Sequence, residues 1–301
     1  MQWLEHPETT PSAEYLITAP LSFPLIGLLQ LVHLKAICVS LSSNHEDFPM
    51  FFEALAGHSQ GVVVAAAVST ASNWSEFYDA AIKAVTILFW IGARSQQVFS
   101  QDSLPEEKAT QFEADGYGKP TPMLSVSNID RRHLNTSIAK LNQSLPIANQ
   151  AHIGLVNSAT NFVVSGPERT LAALIQSLKS SSAKEGQSQA RIPFSQRKLT
   201  PNIRFLPITI PCHCDHLDTA IPLIEGDLLD LSIEATDLKV PVNQTMDESS
   251  LASQGGNLVP ALIRMITSEP VHWTENDFGS ATHIVDFGPG STAGVGALTH
   301  R

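Results

Sequence analysis

Cysteine is scarce in this sequence. Among its 301 residues, only Cys38, Cys212 and Cys214 carry a thiol. Three thiols cannot form the paired framework of a small secreted domain, and so low a number is typical of proteins kept in a reducing compartment. We therefore expect a chain without structural disulfides and a cytoplasmic location.

Basic residues are also few. The 18 lysines and arginines face 29 aspartates and glutamates, which gives a formal net charge of −11. Nucleic-acid-binding proteins generally present a basic field over one face, so no nucleic-acid partner is expected. The basic residues of the stretch 191–204 fit either a local docking patch for an acidic partner or a solvated loop.

Long uninterrupted apolar runs are missing as well. The most apolar early stretch, residues 23–39, is broken by Gln30, His33 and Lys35 and lacks the basic flank and cleavage site of a signal peptide. We predict a core helix here, with Ser22 as its N-cap, and no association with a membrane.

What is present indicates a globular α/β protein. An apolar content of 43% and a charged content of 16% supply a core large enough for one main domain with a smaller inserted one. The rhythm of the pattern changes at residue 123 and again near residue 200. We therefore predict an α/β core from residues 1–122 and 201–301 and an inserted subdomain from residues 123–200.

The inserted subdomain has the element order β-α-β-β-α-β, which is that of a ferredoxin-like fold. Its closing strand is predicted at residues 192–194, after a polar loop. The other predicted elements are strands at 123–127, 152–157 and 162–165 and helices at 131–145 and 168–179.

The clearest motif is Gly57-His58-Ser59-Gln60-Gly61. A short apolar run at 51–56 precedes it, and a run of small apolar residues at 62–68 follows, so the motif lies between a predicted strand and a predicted helix. This is the context of a nucleophile elbow, in which a serine on a sharp turn is exposed and flanking glycines let the backbone crowd it. The start of the helix would direct the Gln60 backbone N–H toward a developing oxyanion.

A second cluster, Cys212-His213-Cys214-Asp215-His216, follows a predicted strand at 205–210. Three interpretations are open. Cys212, Cys214 and His216 would share one face of an extended segment and could bind zinc, although no second Cys/His pair has the usual spacing. His213 could instead be a buried structural histidine, or the general base for Ser59.

Taken together with five further segments, these two motifs resemble the acetyltransferase domain of the fungal fatty acid synthase β subunit and its secondary-metabolism relatives. The resemblance covers nearly the whole chain, and its segments occur in the family's order. They are Ser22-Phe23-Pro24-Leu25-Ile26-Gly27, the Ser59 motif, Pro122-Met123-Leu124-Ser125-Val126-Ser127-Asn128, Asn161-Phe162-Val163-Val164-Ser165-Gly166-Pro167, Arg191-Ile192-Pro193-Phe194-Ser195, Pro211-Cys212-His213 and Asp286-Phe287-Gly288-Pro289-Gly290.

The resemblance implies an α/β-hydrolase-like acyltransferase core with an inserted ferredoxin-like subdomain. It also implies a ping-pong reaction in which Ser59 is the nucleophile and His213 the base. Acetyl-CoA or another acyl-CoA would be the donor and the phosphopantetheine thiol of an acyl carrier protein the acceptor, with no bound cofactor and no metal. Fatty acid synthase subunits or a polyketide synthase would be the partners, and Thr245 would supply the backbone carbonyl that orients His213.

The resemblance further predicts the charge of the acyl group. Malonyl-transferring relatives carry an arginine on the helix after the serine, whose guanidinium pairs with the malonyl carboxylate. In this chain Ile91, on a helix predicted at 74–99, holds that position as a residue of the acyl pocket. Since an apolar residue cannot offset the burial of a carboxylate, an acetyl or short neutral group is expected. Arg94 is the competing candidate and is expected to serve packing or a CoA phosphate.

Two other functions stay open. In the family, a loop that donates the second oxyanion N–H precedes the region where this sequence begins, so a catalytically impaired domain that binds CoA or a carrier is one alternative. A serine esterase is the other, because Asp247 followed by His272 or His283 gives the chain order of an α/β-hydrolase triad.

Overall fold

The computed structural model describes residues 5–41, 52–99, 103–183, 192, 198–247, 249–273, 281–290 and 295–299. The helices in these ranges are α1 (Ala13–Leu16), α2 (Ala19–Leu41), α3 (Gly61–Val68), α4 (Trp74–Val98), α5 (Glu106–Ala114), α6 (Arg131–Asn142), α7 (Glu168–Ser181), α8 (Ile221–Asp227), α9 (Val259–Thr267) and α10 (Gly296–Thr299). The strands are β1 (Leu55–Ala56), β2 (Met123–Ser127), β3 (His152–Ser158), β4 (Asn161–Ser165), β5 (Asn202–Phe205), β6 (Val242–Asn243) and β7 (Val271–His272).

The long helices α2 and α4 both contribute to the main core and pack against each other at close range. A Cβ added to Gly92 would lie 2.3 Å from the Ala19 carbonyl oxygen, and one added to Gly27 would lie 2.4 Å from Leu88 Cδ1. At Gly92, where the contact is with backbone, only glycine therefore allows this approach of the two helices. Helix α4 begins at Trp74, as the sequence predicts. The residue before it, Asn73, is the N-cap, and its side chain accepts a hydrogen bond from the Glu76 backbone N–H.

Helix α2 is apolar on two faces, and only one of them is buried. Its buried residues recur at helical spacing and pack into the core; they are Ala19, Phe23, Gly27, Leu31, Leu34 and Cys38. The opposite face exposes Leu25, Leu28, Leu29 and Val32. The prediction of a core helix therefore holds for one face. By length and composition alone, α2 is also long and apolar enough to cross a membrane.

The larger sheet has the strand order β5-β2-β4-β3-β7. Its first four strands are antiparallel, and their order confirms the predicted ferredoxin-like arrangement. The strand that closes the sheet beside β2 is β5 and not the predicted segment 192–194, of which the structure describes only Ile192. Because β5 lies beyond residue 200, the sheet extends past the predicted end of the subdomain. Strand β7, from the C-terminal part of the chain, adds to the other edge in parallel with β3.

In the inner strands β3 and β4, residues on both faces are buried, which explains why these two strands alternate so little between apolar and polar residues. Leu124, Val126 and Phe162 face α6 and α7 and form a separate small core with them. Met123 and Val163, one residue along, point the other way into the main core with α2, α3, α4 and α9. The small subdomain therefore contributes one face of its sheet to the core that carries the site.

One local prediction differs from the structure. Residues 205–210 do not form a strand of their own, because β5 ends at Phe205. Between α4 and β2 lies the short helix α5, which buries only Phe112. Of the basic residues between 191 and 204, Lys198 and Arg204 are exposed and the other two lie outside the described residues.

Candidate active site

The Ser59 motif forms a strand-turn-helix unit. Strand β1 leads into a turn closed by a hydrogen bond from the Gly61 backbone N–H to the His58 carbonyl, and helix α3 follows directly. Ser59 has a φ of 52°, a left-handed conformation that costs a residue with a side chain about 1 kcal/mol or more. A strained serine on such a turn has the geometry of a nucleophile elbow.

The two glycines of the motif differ in how tightly they are packed. A Cβ on Gly57 would lie 2.0 Å from the Val62 backbone nitrogen and 2.1 Å from the Gly61 carbonyl carbon. A Cβ on Gly61 would have only Gln30 Nε2 within 4 Å, at 3.8 Å. The predicted crowding by the backbone therefore applies to Gly57, whereas a side chain at Gly61 would make only an ordinary van der Waals contact.

The structure brings Ser59 and His213 together. Ser59 Oγ lies 2.7 Å from His213 Nε2, and His213 Nδ1 lies 2.9 Å from the Glu269 carbonyl oxygen. A carbonyl oxygen can only accept, so Nδ1 carries the proton and Nε2 of the neutral ring carries the lone pair. The Ser59 hydroxyl consequently donates to Nε2, the arrangement in which the imidazole can take the serine proton.

His213 is held by backbone contacts from three directions. Its backbone N–H donates to the Ile266 carbonyl at the end of α9, at 3.1 Å. The Ser165 hydroxyl donates to the preceding Cys212 carbonyl at 2.6 Å. A Cβ added to Gly154 of β3 would lie 3.1 Å from the Cβ of His213, so glycine at this position lets β3 approach the histidine closely. These contacts fix a residue that itself has a left-handed φ of 62°.

The charge state of His213 follows from its surroundings. Only 2% of its surface is exposed, and this burial lowers the pKa of His213 to about 4. The hydrogen bond to the Glu269 carbonyl acts in the opposite direction, and the neighbouring His58 lowers the pKa further. At neutral pH the ring is therefore uncharged and able to accept a proton.

The carbonyl that orients His213 is that of Glu269, so the sequence-based choice of Thr245 is wrong. The Thr245 carbonyl accepts instead from the His272 backbone N–H at 2.8 Å. Its hydroxyl is buried, and Oγ1 has no hydrogen-bond partner in the part of the chain that the structure describes. A backbone carbonyl leaves no signature in a sequence, which is why Glu269 could not be identified from its residue type.

Gln60 lies at the N-cap of α3, and its backbone N–H donates to no acceptor among the described residues. This N–H is therefore available at the start of the helix, and its role as a donor to an oxyanion stays a prediction. His58, on the other side of Ser59, was not predicted to take part. Its Nε2 donates to Asn157 Oδ1 at 2.9 Å, and its ring meets Trp273 edge to face, which ties the elbow to β3.

Ile91 and Arg94 both lie on α4. Ile91 is fully buried in the main core. The Arg94 guanidinium forms a two-pronged ion pair with Asp227, with Nε 2.5 Å from Oδ2 and Nη2 2.9 Å from Oδ1, and it stacks over Trp90. Packing is one of the two roles expected for Arg94 from the sequence, the other being contact with a CoA phosphate.

A cavity of about 400 Å³ adjoins the elbow on its His58 side. It is lined by Gly57, His58, Val64 and Trp273 and by residues of the segment 281–288. Ser59, His213 and Ile91 do not line it. The cavity therefore gives no support for Ile91 as a residue of an acyl pocket. The assignment of Ile91 to that pocket stays a prediction.

Neither the zinc site at Cys212 and Cys214 nor the esterase triad with Asp247, both considered from the sequence, is formed by the described residues. The Cys214 thiol donates to the Pro211 carbonyl, and burial raises the pKa of Cys214 to about 12 and that of Cys212 further still, so both thiols are protonated at neutral pH. Asp247 accepts from the Ser249 backbone and hydroxyl and not from a histidine. Ser59 pairs with His213 and not with the two histidines of the esterase alternative.

The fold and the serine–histidine pair together are those of an α/β acyltransferase, and comparison with solved structures supports the fold. The malonyl-CoA:acyl carrier protein transacylase of Coxiella burnetii superposes with a TM-score of 0.61 at 17% identity, covering 91% of this chain and 68% of that one. The protein described as MCAT from Streptococcus pneumoniae gives a TM-score of 0.57 at 17% identity, covering 90% of this chain and 68% of that one.

Residues 1–198 match the model of the SAT family, described as starter unit:ACP transacylase in aflatoxin biosynthesis. The chain belongs to this family of acyltransferase domains. It is 39% identical to the fatty acid synthase subunit beta of Saccharomyces cerevisiae, covering 100% of this chain and 15% of that protein. It is 42% identical to the fatty acid synthase beta subunit TOXC of Cochliobolus carbonum, covering 99% and 14%. The chain thus spans about one seventh of the length of these relatives.

Proposed function

We propose that this chain transfers a small, uncharged acyl group from coenzyme A to the phosphopantetheine thiol of an acyl carrier protein, through an ester on Ser59. The observation that carries the proposal is the 2.7 Å contact between Ser59 Oγ and His213 Nε2, with Nδ1 held by the Glu269 carbonyl. This pair provides a nucleophile, a base in the required tautomer and a group that keeps the base oriented.

In the first half of the reaction, Ser59 Oγ attacks the thioester carbonyl carbon while its proton passes to His213 Nε2. The Gln60 backbone N–H donates to the oxyanion of the tetrahedral intermediate. When the carbon–sulfur bond breaks, the CoA sulfur takes the proton from His213 and leaves as the thiol. The acyl group then remains as an ester on Ser59.

In the second half, the carrier thiol gives its proton to His213 Nε2 and attacks the ester carbonyl. Collapse of the intermediate returns the proton to Ser59 Oγ and releases the acylated carrier. The same histidine thus acts as base and acid in each half, which requires a ring that is neutral at rest. Burial of His213 supports that state, since it lowers the pKa of the ring to about 4.

The preference for a neutral acyl group is supported by α4. Ile91 is apolar where malonyl-transferring relatives are expected to carry an arginine. The nearby Arg94 has its guanidinium engaged by Asp227 and Gln97. A buried malonyl carboxylate would therefore lack a cationic partner from this helix, and such burial is unfavourable.

A carrier-protein acceptor is supported by the printed description of the family, starter unit:ACP transacylase. One structural neighbour is a malonyl transacylase in complex with a type II polyketide synthase acyl carrier protein. Two of the sequence relatives are fatty acid synthase β subunits. We propose that this chain serves a fatty acid synthase or a polyketide synthase in the same way.

The test is transfer of a labelled acyl group from acetyl-CoA to a holo carrier protein, followed on the carrier by mass spectrometry, with malonyl-CoA as the competing donor. Acetylated carrier is the expected product. Ser59→Ala should abolish it, and Ser144→Ala, which alters an exposed loop serine, should leave it unchanged. Acetyl-CoA hydrolysis without carrier would favour an esterase, and no turnover by a folded chain would favour the impaired domain.

A further inference from the structure

Two histidines and an aspartate meet beside the candidate active site. His152 begins β3, and Asp215 and His216 begin the 3₁₀ helix Asp215–Ala220, which follows His213. Each side chain offers one ligand atom, and the three atoms lie within 4.8 Å of one another. His152 Nε2 is 3.4 Å from Asp215 Oδ1, and the two imidazole rings are 5.7 Å apart between centroids.

The ring of His216 is oriented by the backbone. Its Nε2 lies 2.7 Å from the Gln150 carbonyl oxygen. Because that oxygen can only accept, Nε2 carries the proton and Nδ1 is the ring nitrogen with a lone pair. Histidines that bind metals almost always donate their other ring N–H in this way, which fixes the tautomer and the ring.

His152 has an unsatisfied ring nitrogen. Its Nε2 atom is buried and has no hydrogen-bond partner within the described ranges, although the Asp215 carboxylate is close. A buried nitrogen without a partner is costly unless something binds it. Asp215 is exposed, so an ion can reach the group from solvent.

We propose that His152, Asp215 and His216 bind a divalent transition-metal ion. Two imidazoles and one carboxylate suit Zn²⁺, and three protein ligands leave a further position for water. The ion would join β3 to the segment that carries His213, and this proposal does not depend on acyl transfer. It differs from the zinc site weighed from the sequence, which used Cys212 and Cys214; of that set only His216 takes part.

The experiment uses the folded, untagged chain stripped of metal with a chelator and dialysed. Zn²⁺ is titrated by isothermal calorimetry, metal content is measured by mass spectrometry, and thermal unfolding is followed with and without Zn²⁺. One ion should bind per chain and raise the midpoint of unfolding, because the ion binds only the folded arrangement. Removal of one ligand should weaken binding by about a hundredfold.

Three variants and a control make the result decisive. His152→Gln, His216→Gln and the surface change Asp215→Asn should each lose the high-affinity site, and Asp215→Asn covers the case in which a histidine variant fails to fold. His133→Gln is the control, because His133 is an exposed histidine that also contacts an aspartate, Asp130, but has no second histidine beside it. No Zn²⁺ binding by the chain, or equal binding by all the variants, would overturn the proposal.

Discussion

Ser59 and His213, 154 positions apart in the sequence, both adopt left-handed backbone conformations, and their side chains meet at 2.7 Å. Strained residues of this kind persist only where the surrounding structure determines them. Here the turn before α3 holds one residue and the end of α9 holds the other. The contact therefore rests on two separately fixed turns.

The strain at Ser59 has a measurable consequence for stability. Ser59→Gly and Ser59→Ala both remove the hydroxyl, but only glycine adopts a φ of 52° without strain. We expect the glycine variant to have a free energy of unfolding about 1 kcal/mol higher than the alanine variant. Urea denaturation of the two proteins measures this difference. An alanine variant as stable as the glycine variant would show that the turn is not strained.

Replacement by alanine should affect the two glycines of the motif to very different extents. In Gly57→Ala the new Cβ meets the backbone of α3 at 2.0 Å, so the backbone must move and the free energy of unfolding should fall by about 3 kcal/mol. Gly61→Ala is the matched control, and it should change stability by less than about 0.5 kcal/mol, since its nearest neighbour is at 3.8 Å. Similar losses in both variants would contradict this description of the elbow.

Two buried hydroxyls near the site differ in whether they are bonded. Thr245 Oγ1 has no partner in the described structure, so Thr245→Val should keep acyl transfer and stabilise the chain by about 1 kcal/mol. Ser165→Ala removes the bond to the Cys212 carbonyl and should destabilise it by about 1 kcal/mol. Thermal unfolding and transfer rates check both. A Thr245→Val protein that is less stable than the parent would contradict the description of Oγ1 as an unpaired hydroxyl.

The ion pair of Arg94 and Asp227 predicts a pH dependence of stability. The hydrogen bond from Arg94 lowers the pKa of Asp227 below the ordinary value of an aspartate. The carboxylate therefore stabilises the fold fully above the pKa of the unfolded chain, and this contribution is lost as the pH falls through the folded pKa.

Asp227→Asn should accordingly be less stable than the parent at pH 7, and the difference should shrink as the pH falls below about 4. Urea unfolding from pH 7 to pH 3 measures it, with Asp230→Asn, which alters an exposed aspartate, as the control. A difference that is independent of pH would contradict an electrostatic role for Asp227.

Much of the architecture could be predicted from the sequence because it depends on local patterns. Strand β2 and the start of α4 lie where the apolar periodicity places them, and the Ser59 turn follows from its glycines and flanking apolar runs. The predicted N-cap Ser22 instead lies inside α2, which begins at Ala19. The closing strand was misplaced, because Asn202–Phe205 is an edge strand whose alternation is set by pairing with β2. Helix α5 could have been found from its start, where Pro105 precedes two glutamates in the first turn.

The site was harder to predict wherever it depends on groups distant in the chain. Ser59 and His213 were paired through the family resemblance, since nothing local joins them. The Glu269 carbonyl is a backbone group and carries no residue signature. His152 comes beside Asp215 and His216 only because β3 passes the His213 turn in the folded sheet. Tertiary contacts of this kind decide function without leaving a spacing that a sequence pattern can reveal.

The most direct test of the account is intact-mass analysis of the purified chain after incubation with acetyl-CoA and, separately, with malonyl-CoA. We expect the mass to increase by one acetyl group with acetyl-CoA, the label to map to Ser59 after digestion, and Ser59→Ala to remain unlabelled. Malonyl labelling in preference to acetyl labelling would contradict the interpretation of Ile91 and Arg94. A folded chain that takes no label from either donor would contradict the proposal that Ser59 is a working nucleophile.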